Sequence, residues 1–321
     1  MVNNMKIRLG YVAMATTIDN ITSSSTISYT NYLKLTDEEK DNKLDEIIIS
    51  NLVNLVKILN YNIKNNIHFY RLTSKLIPLA THKDVSYDYI KPYKSLFNEL
   101  TDLIDKNNIR IDVHPDQFAV LNSTNKDVID NTFEILKYHY NILTALKIKN
   151  KIIILHVGSS VLGKDNSIKR FINNFNKLPK NIRECIAIEN DDKIYNIDDC
   201  LNLCQKLNIP MVLDYHHYIC NSGNYKIEDY YQKIFNTWKN INPKIHFSSP
   251  KNKTKKDMRS HHDYINVDDF ISFIESIKHL PYDIDIMLEA KAKDESLFRL
   301  VRQLKYKTNY KFIDDTTFTV D

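Results

Sequence analysis

Eight side chains of metal-ligand type sit at or just after the ends of short β-branched runs. They are His114 in DVHPDQ, His156 in ILHVGS, Glu189 in AIEND, Asp214, His216 and His217 in VLDYHH, His246 in KIHFSS and Glu289 in MLEAK. One histidine in such a place is ordinarily hydrogen-bonded structure. Six consecutive runs that each deliver a His, Asp or Glu are different, because carboxylates buried together in an apolar frame need protons or cations to neutralise them. Mixed imidazole and carboxylate sets suit Zn²⁺ or Mn²⁺. Three or four protein ligands serve one catalytic zinc, so this larger set predicts two or three ions. Glu189 stands between the His114/His156 side and the Asp214/His217 side and is expected to bridge two of them. Ions a few Å apart can stabilise both the attacking and the leaving oxygen of an in-line phosphoryl displacement, so hydrolysis of a phosphate ester is the chemistry this set suits. A further ligand is expected from RSHHDY, where Arg259, His261, His262 and Asp263 follow the basic tract from Lys251 to Lys256, and either histidine could reach the site. Basic residues there would help to seat a polyanionic backbone.

These residues must be positioned by the alternation that runs along the whole chain. Strand-like runs at 7–12, 68–73, 110–114, 151–157, 185–189, 211–217, 244–249 and 284–290 alternate with helical patterns at 39–59, 86–106, 126–147, 166–177, 197–207, 226–239, 267–278 and 293–304. Runs such as IIILHV and IMLEA are almost continuously apolar, as expected of parallel strands covered by helices. Eight β-then-α units predict a (β/α)₈ TIM barrel over 1–321 as a single domain, with catalytic groups at the carboxyl ends of the strands. Only four glycines occur, at 10, 158, 163 and 223, and none form a dinucleotide fingerprint or a P-loop, so no nucleotide cofactor is expected.

The totals fit one large domain: 321 residues, 43% hydrophobic, with 44 basic against 40 acidic side chains. A formal charge of +4 is mild, and much of the lysine lies in Asn/Ile/Lys-rich stretches such as 60–66, so net charge does not argue for nucleic acid. Cys185, Cys200, Cys204 and Cys220 form no C-x-x-C pair and read as reduced, buried thiols. No apolar run approaches a membrane span and the N-terminus lacks the build of a signal peptide, so a cytoplasmic monomer without a membrane partner is expected.

In order, RLGYV, RLTSKLIPLATH, HPDQFAVLNS, ILHVGS, AIEND, MVLDYHH, KIHFSSP, RSHHDY and MLEAK resemble the UV damage endonucleases, over about residues 7–295. The resemblance implies a barrel related to endonuclease IV that incises damaged double-stranded DNA immediately 5′ to pyrimidine dimers, photoproducts and some other lesions, with bound divalent metals commonly taken as manganese. By motif match its metal ligands fall on His114, His156, Glu189, Asp214, His217, His246, His261 and Glu289. His216 and His262 become neighbours, and the R-x-H-x-D spacing selects His261. The catalytic set so implied comprises Glu189, Glu289 and Lys244, the last matching a lysine that some members carboxylate.

The same resemblance places damage contacts on Tyr11, Gln117 and Phe118, side chains able to wedge into a duplex and stack where bases are displaced. Many relatives carry Tyr at the Phe118 position, so a hydroxyl contact is lost while stacking is kept. Some members have Asn at the Ala15 position, and Thr16, Thr17 or Asn20 is expected to replace it. Arg71 is expected to touch phosphate, with an ion pair inside the barrel as the competing reading. The rival functions are an abasic-site endonuclease, a two-metal sugar isomerase and a binding protein without catalysis. The isomerase needs fewer ligands and no wedge, and the complete ligand set argues against mere binding.

Overall fold

The structure is a computed structural model that describes residues 4–252, 254 and 257–321. Its strands are β1 (Met5–Val12), β2 (Phe69–Leu72), β3 (Arg110–Val113), β4 (Ile153–His156), β5 (Ile186–Glu189), β6 (Met211–Asp214), β7 (Lys244–Phe247), β8 (Ile284–Leu288), β9 (Lys311–Phe312) and β10 (Thr317–Val320). The helices are α1 (Tyr29–Tyr32), α2 (Asp37–Lys64), α3 (Lys94–Lys106), α4 (Lys126–Ala145), α5 (Lys164–Lys177), α6 (Lys180–Arg183), α7 (Ile197–Leu207), α8 (Tyr215–Cys220), α9 (Tyr231–Asn236), α10 (Val267–Ile277) and α11 (Lys293–Lys307). Strands β2 to β8 pair in parallel in chain order, β8 pairs with β1, and β1 closes on β2 through Tyr11↔Tyr70 and Val12↔Arg71. The result is the expected TIM barrel. Closure brings β1 against β2 so tightly that a Cβ on Gly10 would lie 2.3 Å from the Phe69 carbonyl oxygen, which is why a residue without one stands there.

The period of two within each strand sorts side chains into two populations. Ile7, Leu9, Tyr11, Ile111, Val113, Ile153, Leu155, Ile186, Ile188, Leu213, Ile245, Phe247, Ile286 and Leu288 join the large core shared with the helices. Alternate residues face the barrel axis, where Ile154, Ala187 and Val212 pack with Ile152 and Trp238 as a small apolar plug. Below the plug, Asp285 pairs with Arg8 and Arg110, each at 2.6 Å. Above it, at the carboxyl ends, lie the imidazoles and carboxylates. Beside the plug the buried Lys244–Asp112 pair continues the charge upward, with Asp112 Oδ1 3.7 Å from Arg71 Nε at the mouth.

Several expected bounds move for local reasons. The helix expected at 86–106 starts at Lys94, because Lys91 precedes Pro92 and Asp88 instead accepts the Ile90 and Lys91 amides in a turn, at 3.0 and 2.9 Å. The helix expected at 39–59 runs longer, begun by a Thr36/Glu39 capping box. The stretch expected at 226–239 is split into a 3-10 turn at 227–229 and α9. The run expected as strand to 217 stops at Asp214, whose carboxylate caps α8 by accepting the His217 amide at 2.7 Å. Unexpected are β9 and β10, where β10 runs antiparallel to the amino-terminal half of β1. Cys185, Cys200 and Cys204 are buried and Cys220 half-buried, none of them joined by a disulfide. Among the described residues no helix is long and apolar enough to cross a membrane.

Candidate metal centre

Glu189 ends β5 at the level of His156 on β4, and its carboxylate is buried at the middle of the mouth. Oε2 lies 2.9 Å from His114 Nε2 and 3.7 Å from His156 Nε2; Oε1 lies 2.8 Å from His246 Nδ1 and 3.4 Å from His217 Nδ1. Asp214 and His246 share a register level on β6 and β7, and Glu289 Oε1 is 3.2 Å from His246 Nδ1. Three groups of potential ligands follow among the described residues, each with donor atoms within 4.8 Å: His114/His156/Glu189, Glu189/Asp214/His217 and Asp214/His246/Glu289. Glu189 and Asp214 each belong to two groups, so all seven residues form one chain of overlapping sites.

Backbone carbonyls engage one nitrogen of three imidazoles. His114 Nδ1 is 3.0 Å from the Pro115 carbonyl, His217 Nδ1 2.9 Å from that of Asn190 and His261 Nδ1 2.8 Å from that of Glu289. A carbonyl only accepts, so these nitrogens donate; in His114 this turns Nε2 toward Glu189, at 2.9 Å, whereas in His217 Nδ1 itself also lies 3.4 Å from Glu189 and 3.6 Å from Asp214. Asn190, which the sequence reading passed over, locks the ends of β5 and β6 by donating to the Asp214 carbonyl and accepting its amide, both at 2.9 Å. The sequence offers only a polar residue next to Glu189 as a signal for it.

The charges are mutually dependent. Burial pushes the Glu189 carboxyl up, but His246, His156 and His114 outweigh it and hold it well below its ordinary value. Burial raises the Asp214 carboxyl well above its ordinary value, helped by Glu189 and Glu289 and opposed by His217. Burial would discharge His217, yet Asp214, Glu189 and Glu289 push it up to about 9. Burial lowers His246 to about 4. The donor set fits a divalent cation. Asp214 Oδ2 and His156 Nδ1 are buried without any hydrogen-bond partner, and a cluster short of donors is what a cation completes.

Other expected residues separate into those at the mouth and those away from it. His261 is half-buried with its ring centre 6.3 Å from that of His217, whereas His262 is exposed and accepts the Tyr264 amide. His216 lies buried behind the site, its ring 5.2 Å from His261. Gln117 and Phe118 stand on the loop after β3, Phe118 74% exposed, along a groove of about 740 Å³ that also reaches His114, His156 and Arg71.

Tyr11 does not reach that groove. It shares the parity of Ile7 and Leu9, faces α2, donates its hydroxyl to Asn62 Oδ1 at 2.7 Å and packs edge-on against Tyr70. In this structure Tyr11 is therefore buried in packing rather than presented to the groove where a lesion contact was expected. Thr16 and Thr17 are likewise engaged by Asp294. Arg71 is buried inside the barrel, its guanidinium 2.6 Å from Glu289 Oε1 and 2.5 Å from His246 Nε2, the ion pair that was the competing expectation. Lys244 is buried one layer below His246, with Nζ 2.5 Å from Asp112 Oδ2; burial brings it down to about 7 against the pull of Asp112. Arg259 forks onto Asp192, at 2.5 and 3.0 Å. Of the basic tract from Lys251 to Lys256, Lys253, Lys255 and Lys256 lie outside the described residues.

Residues 7–317 match the family model described as UV-endonuclease UvdE. A UV DNA damage endonuclease of Bacillus mycoides (strain KBAB4) is 38% identical over 316 residues, covering 98% of this chain and 99% of the relative. One from Bacillus cereus (strain G9842) is 39% identical over 303 residues, covering 94% and 95%. The crystal structure of SacUVDE superposes with a TM-score of 0.84 at 33% identity, covering 94% of this chain and 98% of that one. Endonuclease IV from Thermus thermophilus shares the fold at 10% identity, with a TM-score of 0.56 over 78% of this chain and 93% of its own. A match to the family model from the first strand to the last, with relatives aligned end to end, means that the chain belongs to the UV-endonuclease UvdE family.

Proposed function

We propose that the protein is a DNA repair endonuclease that hydrolyses the phosphodiester bond immediately 5′ to UV photoproducts and other helix-distorting lesions, using two or three divalent ions, Mn²⁺ foremost, and working as a cytoplasmic monomer. The observation that carries this reading is the chain of three overlapping ligand groups at the barrel mouth, beside a groove edged by an exposed aromatic, in a member of this family. Bound ions would supply positive charge for the attacking and leaving oxygens of an in-line displacement.

The protein's own residues do the rest. His114, His156, Glu189, Asp214, His217, His246 and Glu289 would hold the ions, with His261 close enough to join them. Arg71 orients Glu289 and His246 from below. Phe118 and Gln117 stand where they would enter a duplex and stack against displaced bases. Deforming DNA costs less where stacking is already weakened, so such a wedge selects damage by deformability rather than by base identity.

Lys244 would act as a carboxylated lysine. Its amine is buried and eased toward its neutral, nucleophilic form, and the added anion would lie beside Arg71, whose Nε has no hydrogen-bond partner and only Asp112 Oδ1 at 3.7 Å. Intact-mass spectrometry of native protein held in bicarbonate should show the added carboxyl group; a bare mass under those conditions counts against it.

The activity itself is tested by incubating the protein and Mn²⁺ with otherwise identical duplexes carrying a thymine dimer, an abasic site or no lesion, and mapping the cut. A nick directly 5′ to the dimer, lost on adding EDTA, is expected. An intact dimer strand sinks the proposal, and cutting at the abasic site alone reassigns the enzyme to abasic-site repair.

A further inference from the structure

Lys293 follows β8 and opens α11, four residues beyond Glu289, in a stretch to which the sequence reading assigned no chemistry. Its backbone has φ +46°, the left-handed region that a lysine seldom occupies. That conformation is imposed by everything around it. The Lys293 amide donates to the Ala290 carbonyl at 3.2 Å, the Ala292 amide to that of Asp263 at 3.0 Å, and the Lys291 amide to that of His262 at 3.1 Å. Next in the chain, buried Asp294 accepts from the Thr16 amide and hydroxyl at 2.6 and 2.9 Å, from Tyr61 at 2.8 Å and from the Thr17 hydroxyl. Both the strand-one loop and the first turn of α11 are thereby pinned to one another, and strained backbone that its surroundings over-determine is characteristic of functional positions.

What this strain presents is a cation. Lys293 is half-buried and lines the groove shared by Phe118, Gln117, His114, His156 and Arg71. Among the described residues no carboxylate lies within salt-bridge distance of it, whereas Arg71, deeper in the same groove, is used by Glu289. A half-buried ammonium that feels the Glu289 charge and the repulsion of Arg71 but makes no ion pair has lost part of its hydration without a contact to replace it, which favours an anion arriving from the groove.

We infer that Lys293 is a phosphate-contact residue that holds the backbone of the DNA strand in the groove beside the metal centre. The inference rests on the nuclease reading and adds to it a specific anchor, placed by Asp294. A lysine acts on phosphate as a point charge, so its effect should be independent of base sequence and weaken with salt.

The test is fluorescence anisotropy of a labelled duplex carrying a thymine dimer, measured in EDTA over a series of KCl concentrations, for wild type, Lys293→Asn and Lys293→Arg, with thermal melting alongside. Asparagine tolerates the left-handed backbone, so Lys293→Asn should keep or raise the melting temperature. Its affinity should fall about fivefold to tenfold, and the slope of log Kd on log salt should flatten by about one, as for loss of one phosphate contact. Lys293→Arg should restore most of the affinity. Unchanged affinity and slope in Lys293→Asn, or weakening with a lowered melting temperature and an unchanged slope, overturns the assignment. A wild type that binds the duplex but does not cut beside the dimer removes the cleavage reading and leaves Lys293 standing; a wild type that does not bind duplex at all removes both.

Discussion

Glu189→Gln is expected to abolish nicking while leaving the barrel folded. The substitution keeps the shape of the side chain and removes the charge that sits within 4 Å of His114, His156, His217 and His246. Glu189 belongs to two of the three ligand groups, so a neutral amide there weakens two sites at once, and its NH₂ must face a nitrogen that the carboxylate accepted from. If the ions supply several kcal/mol of transition-state stabilisation, the rate should fall by about 10³-fold or more. The outer faces of β4 to β6 pack through Leu155, Ile188 and Leu213, which the change does not touch, so far-UV circular dichroism should be retained. Single-turnover nicking of a thymine-dimer duplex with Mn²⁺, with bound manganese counted per chain, decides the matter. A folded Glu189→Gln protein that nicks at the wild-type rate with its full metal content would remove Glu189 from the bridging role.

That this experiment can be framed from side-chain types reflects how directly the barrel writes its mouth into the chain. Each parallel strand places one residue at its carboxyl end, and the ligands of β3 to β8 stand out because imidazoles and carboxylates interrupt otherwise apolar runs. Facing was harder to read. Strands covered on both sides lack the polar/apolar alternation that tells inside from outside. In RLGYV, Tyr11 has the parity of Ile7 and Leu9 and faces α2, while Arg8 and Gly10 face the axis, and only the closed barrel reveals which set is inner. Arg71 was legible as a strand-end cation but not as the partner of Glu289, since they meet across the mouth from β2 and β8. The turn from strand into helix at Asp214 was missed because the aspartate serves both as potential ligand and as cap. Lys293 was missed because its significance is a backbone conformation, which side-chain identity does not announce.

The second large effect expected is proton release on metal binding. In the metal-free protein the buried Asp214–His217 pair shares a retained proton: burial raises the Asp214 carboxyl, and the Asp214 charge, with Glu189 and Glu289, raises His217 to about 9. Coordination needs the Asp214 carboxylate and an unprotonated His217 nitrogen, so binding must expel what this buried pair retains. Both groups are raised on folding, so both contribute stability that is complete at low pH. The Asp214 contribution is lost as pH rises from its ordinary value of 3.8 toward its raised one. The His217 contribution is lost between its ordinary value of 6.5 and about 9. Glu189, lowered on folding, acts oppositely, and its contribution disappears only as pH falls below the ordinary carboxylate range. From pH 6 to pH 8 the His217 contribution is lost while His246, lowered to about 4, and His216 and His156, also lowered by burial, add stability as the unfolded chain gives up its imidazole protons, and metal ligation becomes easier. Added Mn²⁺ should raise the melting temperature more at pH 8 than at pH 6. At a free concentration about 100 times Kd the gain should approach about 2.7 kcal/mol. Titration calorimetry in two buffers of different ionisation heat should show protons leaving with each binding event. Heats that do not depend on the buffer, together with equal thermal shifts at both pH values, would mean that Asp214 and His217 carry no extra proton and that the charge balance at the mouth is set by other residues.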